Sequence, residues 1–318
     1  SALRFPFKKK SLTEAEILNL LSDADPVTRK IAGKSLSEVL ENNKRIFVMI
    51  LNVISRDRFI EDNKRGFKRI MSSRNLDNDV EDEVVDKLVD TIDKAMPKLT
   101  HRYYKWKANQ FGQTRLDWWD RNAPLPHSSE NLIKWSDSKD IILDSFSSFH
   151  PEISNLAELF FKNNWIDASL RKGKASGAFA HPSVPSLHPY ILVNYQGKIR
   201  DVMTLAHELG HGVHQILAGK NGLLMAETPL TLAETASVFG EMLVFRKLLD
   251  ESSIAQKKQL LSGKIEDMLN TVARQIGFHQ FEVKFHEARI KSELTPDEIS
   301  NIWICLLYTS DAADDSTR

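Results

Sequence analysis

His207, Glu208 and His211 stand in a His-Glu-x-x-His run whose residue types and spacing suit metal-assisted hydrolysis. On a helix, four residues make about one turn, so both imidazoles lie on one face and can reach one tetrahedral Zn²⁺ at about 2.0–2.1 Å. Glu208 then sits beside the ion without being forced to ligate it. That position suits a carboxylate that deprotonates a water whose pKa the metal lowers to about 7.

A catalytic zinc needs a third protein ligand and an open position. The apolar stretch from Leu230 to Phe245 carries two glutamates, Glu234 and Glu241, seven residues apart and therefore facing the same way. A carboxylate buried there demands a cationic partner. We read Glu234 as the third ligand and Glu241 as an acceptor for the free N–H of a ligand histidine; the competing reading of each is a solvated surface charge. His214 reads as a packed or supporting histidine. A longer class of zinc motif would need glycine at that position and histidine at Leu217, so that class is excluded.

The elements that must hold these residues follow from pattern. Asp201 to Gly219 reads as one helix, and Thr228-Pro229 reads as the opening of the next, with threonine as cap. Upstream, Gly177–His181 and Tyr190–Tyr195 read as strands of a small antiparallel sheet. From Ser11 to about Phe161 the pattern is a run of amphipathic helices. Thr13 and Glu16 form a capping box before Ile17, and a second helix covers about Val27 to Leu40. The apolar run Ile46–Ile54 reads as a core helix; it falls short of the about 20 residues that span a bilayer.

Of the 318 residues, 42% are hydrophobic and 27% charged, the mix of a globular protein with a sizeable core. Lysine plus arginine equals aspartate plus glutamate at 43 each, so no net field gathers nucleic acid or a membrane surface. Cys305 is the one cysteine, which excludes an internal disulfide and a cysteine-based zinc site and fits the cytoplasm.

Thr204–His214, Pro229–Glu241, Gly173–Phe179 and Pro189–Tyr195 together resemble the oligoendopeptidase F group of the thimet oligopeptidase family of zinc metallopeptidases. The resemblance implies a mainly α, zincin-type fold with one Zn²⁺ per chain on His207, His211 and Glu234, and Glu208 as the catalytic group. It implies short oligopeptides as substrates, cut at internal bonds, and an edge formed by Gly177, Ala178 and Phe179 that pairs with the extended substrate backbone. The expected organisation is a helical lobe over 1–164 with more sequence before it, a zinc-binding region over 165–303, and a tail over 304–318. The family follows Thr295–Trp303 with tyrosine- and histidine-rich donors, whereas Ile304 opens a different run, so the tail is expected to be foreign to the gene. The rival readings are a catalytically incomplete peptide-binding scaffold and a zinc exopeptidase.

Overall fold

The computed structural model describes residues 3–126 and 132–310. In chain order the elements are strands β1 (Phe5–Phe7) and β2 (Lys10–Leu12), then helices α1 (Glu14–Leu20), α2 (Pro26–Arg65), α3 (Ser72–Asp77), α4 (Asp82–Gln110), α5 (Trp135–Phe149) and α6 (Pro151–Lys162). Strands β3 (Ile166–Asp167), β4 (Phe179–His181) and β5 (Tyr190–Leu192) follow, and the chain ends in helices α7 (Ile199–Gly219), α8 (Leu230–Asp250), α9 (Ile254–Lys291) and α10 (Pro296–Ser310). The mainly α expectation holds.

Two compact units form, one of Ser128–Lys258 and one of Leu3–His127 with Gln259–Arg318. In the first, α5 and α6 bury Ile142, Phe146, Ala157 and Phe160 against the metal-site helix α7, which contributes Val202, Leu205, Leu209 and Val213. These α7 positions repeat every three to four residues, so one stripe of the helix faces the core and leaves the histidines on the opposite side. Because they share this core, α5 and α6 pack with α7, on the far side of the boundary expected at 164.

The two expected strands pair antiparallel, Ala180 opposite Ile191. A third strand, Ile166–Asp167, joins β5 in parallel, which makes the sheet mixed, in the order β3-β5-β4. Gly177 precedes β4 with φ +83°, a left-handed turn that glycine adopts without a Cβ clash. Lys174, its side chain 1% exposed, donates to the carbonyls of Asp167, Ser169 and Val193 and so holds this loop on β3 and β5. Asn194 Nδ2 donates to the carbonyls of Ala175 and Gly177.

In the second unit the Thr13 capping box opens α1 as expected. Helix α2 starts where Asp25 accepts from the N–H groups of Val27 and Thr28, with Pro26 at its first position, and stops at Gly66 with φ +79°. It runs 40 residues, well beyond the expected end at Leu40. Its apolar run Ile46–Ile54 is helical but is not core: Ile46 and Met49 are each 55% exposed, Val53 and Ile54 61%. Within the run Val48 packs on Phe285, Leu294 and Ile299, and beside it the buried Asn52 donates to the Leu294 carbonyl and accepts from the Leu294 N–H. That turn offers backbone groups needing partners, so a polar residue faces it and most of the apolar run points elsewhere.

Helix α10 passes through Ile304 to Ser310, and residues 311–318 of the expected foreign tail lie outside the described residues. No helix among the described residues is long and apolar enough to cross a membrane.

Candidate metal centre

Helix α7 begins at Ile199, two residues earlier than Asp201, whose carboxylate instead accepts from the Lys198 and Gln196 N–H groups and ties down the first turn. Helix α8 begins at Leu230. Pro229, with ψ 150°, takes the cap position without a side-chain bond, so Thr228 does not cap as expected. Between the two helices the chain makes a short turn at Leu223–Met225, where Leu224 is 94% exposed.

The two helices cross at backbone contact. A Cβ added at Gly210 would stand 2.7 Å from the Ala236 carbonyl oxygen and 2.8 Å from Ser237 Cα. One added at Gly240 would stand 3.1 Å from the Ala206 carbonyl oxygen. Glycine at both places lets α8 approach close enough for Glu234 to reach the α7 histidines.

His207 Nε2 lies 3.2 Å from Glu234 Oε2, and His211 Nε2 lies 3.6 Å from the same oxygen. The three ligand atoms all fall within 4.8 Å of one another. Bonds of about 2.0–2.1 Å at tetrahedral angles separate ligand atoms by about 3.4 Å, so the Glu234 oxygen stands from each imidazole nitrogen at close to the spacing zinc requires. Two imidazole nitrogens and one carboxylate oxygen are also a donor set that suits Zn²⁺.

Glu234 is not buried as its apolar helix implied: its side chain is 54% exposed, so burial does not force it onto a cation. Geometry singles it out instead. Glu241, 17% exposed, lies with Oε2 3.4 Å from His207 Nδ1, on the ring's far side from Glu234. His214 is outside the convergent set, and its influence is a charge acting on His211. Gly177 and Ala178 lead into β4, and Phe179 is its first residue, 46% exposed.

Glu208 is 6% exposed, and burial pushes its carboxyl up to about 7, with the charge of Glu234 adding to the rise. The neighbouring His207 and the Ala180 backbone N–H act the other way. Burial pulls His207 down, but its bond to Glu241 and the charges of Glu208 and Glu234 outweigh this and raise it. His211 goes down, chiefly by burial.

Sequence reasoning missed Ser237. Fully buried, it donates from Oγ to Glu234 Oε2 at 2.8 Å, fixing the same oxygen that faces the histidines. The signal was available, because a hydroxyl three residues after a candidate ligand shares its helix face. Gln215, whose Nε2 donates to the Ala180 carbonyl at 3.3 Å, was also missed.

Two histidines and a glutamate brought together by crossing helices form a group that could hold a metal ion. Residues 19–308 match peptidase family M3, and the chain belongs to that family. It is 30% identical over 290 residues to an oligoendopeptidase F homolog of Borreliella burgdorferi, covering 90% of this chain and 49% of the relative. It is 27% identical over 299 residues to oligopeptidase PepF of Bacillus subtilis, covering 93% and 44%. The chain thus spans about half the length of the curated relatives it matches.

Among solved structures, PZ peptidase A with inhibitor 2 superposes with a TM-score of 0.85 at 18% identity over 99% of this chain and 57% of that one. The oligoendopeptidase-F of Enterococcus faecium gives 0.66 at 20% identity over 98% and 51%. These two likenesses speak for the fold.

Proposed function

We propose that this chain supplies the zinc-binding part of an endopeptidase that cuts internal bonds of short oligopeptides, one Zn²⁺ per chain. The observation that carries this reading is the convergence of His207, His211 and Glu234 within 4.8 Å. Bound there, zinc supplies a Lewis acid for the scissile carbonyl and lowers the pKa of water.

The chain's own residues do the rest. Glu208 takes the proton of the attacking water and later passes it to the leaving amine. Its burial suits that exchange, since a carboxylate shielded from water gains more by taking up a proton than an exposed one. Glu241 holds the His207 ring from the Nδ1 side, so that Nε2 faces the metal position. His214, on the next turn of α7, acts on His211 through its charge. The edge formed by Gly177, Ala178 and Phe179 would pair with an extended peptide through its outward main-chain groups, a mode that tolerates many side chains. The single cysteine favours a reducing compartment, the cytoplasm.

The test is zinc content plus cleavage of an internally quenched peptide by the full-length gene product, with and without a chelator. One zinc per chain and chelator-sensitive internal cleavage are expected. Glu208→Gln should lower turnover by about 10²–10⁴ with zinc retained, whereas His207→Ala or Glu234→Ala should lose the metal. Near wild-type turnover in Glu208→Gln would remove the general-base role. Residues released strictly from one chain end would make the protein an exopeptidase, and peptide binding without cleavage would make it a scaffold.

A further inference from the structure

Strand β4 is an edge of the β3-β5-β4 sheet. Ala180 stands opposite Ile191, whose N–H is given to the Trp165 carbonyl on the sheet's other side at 2.9 Å. In an antiparallel ladder the residue facing such a position turns its own N–H and C=O outward, away from its partner strand. At Ala180 both outward groups meet α7. Gln215 Nε2 donates to the carbonyl at 3.3 Å, and the N–H acts on the Glu208 carboxylate as a hydrogen-bond donor.

Glu208 and Gln215 are seven residues apart, so they share a face of α7 beside the imidazoles. One residue of the edge strand is thus gripped from two successive turns of the metal helix. The other half of the Gln215 amide is unusual: Oε1 is buried with no hydrogen-bond partner among the described residues. Packing alone does not explain a glutamine there, because a leucine or methionine of similar size would fill the space without an unmet acceptor. What the amide contributes is its donor.

We infer that Gln215 is a positioning residue: by holding the Ala180 carbonyl it fixes β4 on α7 and keeps the Ala180 N–H on Glu208. The inference rests on the reading of Glu208 as the general base. A carboxylate held by a backbone N–H presents its free oxygen in one direction, whereas a released one samples several and reacts in fewer of them. It also bears on substrate pairing. With Ala180 occupied by α7, the edge left for a peptide backbone lies upstream, at Ala178.

The test uses the full-length zinc-loaded protein with Gln215→Met, which keeps size and removes the donor, and Gln215→Lys, which restores a donor of similar reach. Gln215→Met should lower kcat about tenfold with KM and zinc content unchanged, and Gln215→Lys should recover most of the loss. Independently of turnover, hydrogen exchange at the Ala180 amide should quicken about tenfold in Gln215→Met while α8 exchanges as before. Wild-type kcat in Gln215→Met, unchanged exchange at Ala180, or loss of zinc would each overturn the inference, the last because it would mean a role in the metal helix as a whole. If the wild type holds zinc but cleaves nothing, the general-base reading fails by itself, and the exchange measurement still decides whether Gln215 pins the strand.

Discussion

The two compact units are held together by different means. In Ser128–Lys258 one continuous apolar cluster runs through α5, α6, β5, α7 and α8, and the helices that carry the ligands touch backbone to backbone at Gly210 and Ser237. In the other unit the apolar residues among those described fall into three smaller clusters, with charges buried around them. Arg29, 2% exposed, donates to Asp120 at 2.7 Å, and Lys107, 1% exposed, to Glu266 at 2.6 Å. Backbone contact leaves no slack, whereas a long charged side chain can readjust around its partner. Tight tolerance is therefore found where His207, His211 and Glu234 converge, and the other unit gets by with polar ties between long rods.

That contrast can be broken by substitution. The largest expected effect is in the helical unit: Lys107→Met leaves Glu266 and the Tyr103 hydroxyl it binds without their cation. Unfolding free energy in urea should fall by about 3–5 kcal/mol. Zinc affinity of the folded molecules should stay unchanged, and a matching loss of zinc would erase the distinction between the units. Gly210→Ala should destabilise less, by about 1–3 kcal/mol, yet by moving α8 it should weaken zinc binding about 100-fold in a metal titration. Ser237→Ala should be mildest, leaving the fold intact and lowering zinc affinity about tenfold. Equal zinc affinity in Ser237→Ala and wild type would mean the hydroxyl does not hold Glu234.

The site was legible to the extent that helix geometry encodes it. An offset of four between the imidazoles and of seven between the glutamates are statements about one helix face, so the spacing already puts His207 with His211 and Glu234 with Glu241. What spacing cannot encode is which residues touch across a crossing. Gly210 and Gly240 matter because of the backbone that the facing helix brings against them, and nothing local to either helix announces that. Burial was misjudged for the same reason. The apolar composition of α8 pointed to a buried Glu234, but Leu230 is 66% and Leu232 59% exposed, so the helix opens to solvent near its ligand. Ile46–Ile54 failed likewise, since an apolar stripe marks a helix but does not name the face that finds a partner. Strand β3 was too short to carry a pattern of its own.

The turn at Leu223–Met225 separates two donor histidines from the third donor in the covalent chain, and its middle residue is almost wholly bare to solvent. Exposed tips of this kind are where proteases nick. A chain clipped there would leave the imidazoles on one fragment and the carboxylate on the other. The apolar core and the close backbone contact that α7 shares with α8 would hold the two pieces together after such a cut, so the connector is dispensable to the packing it spans.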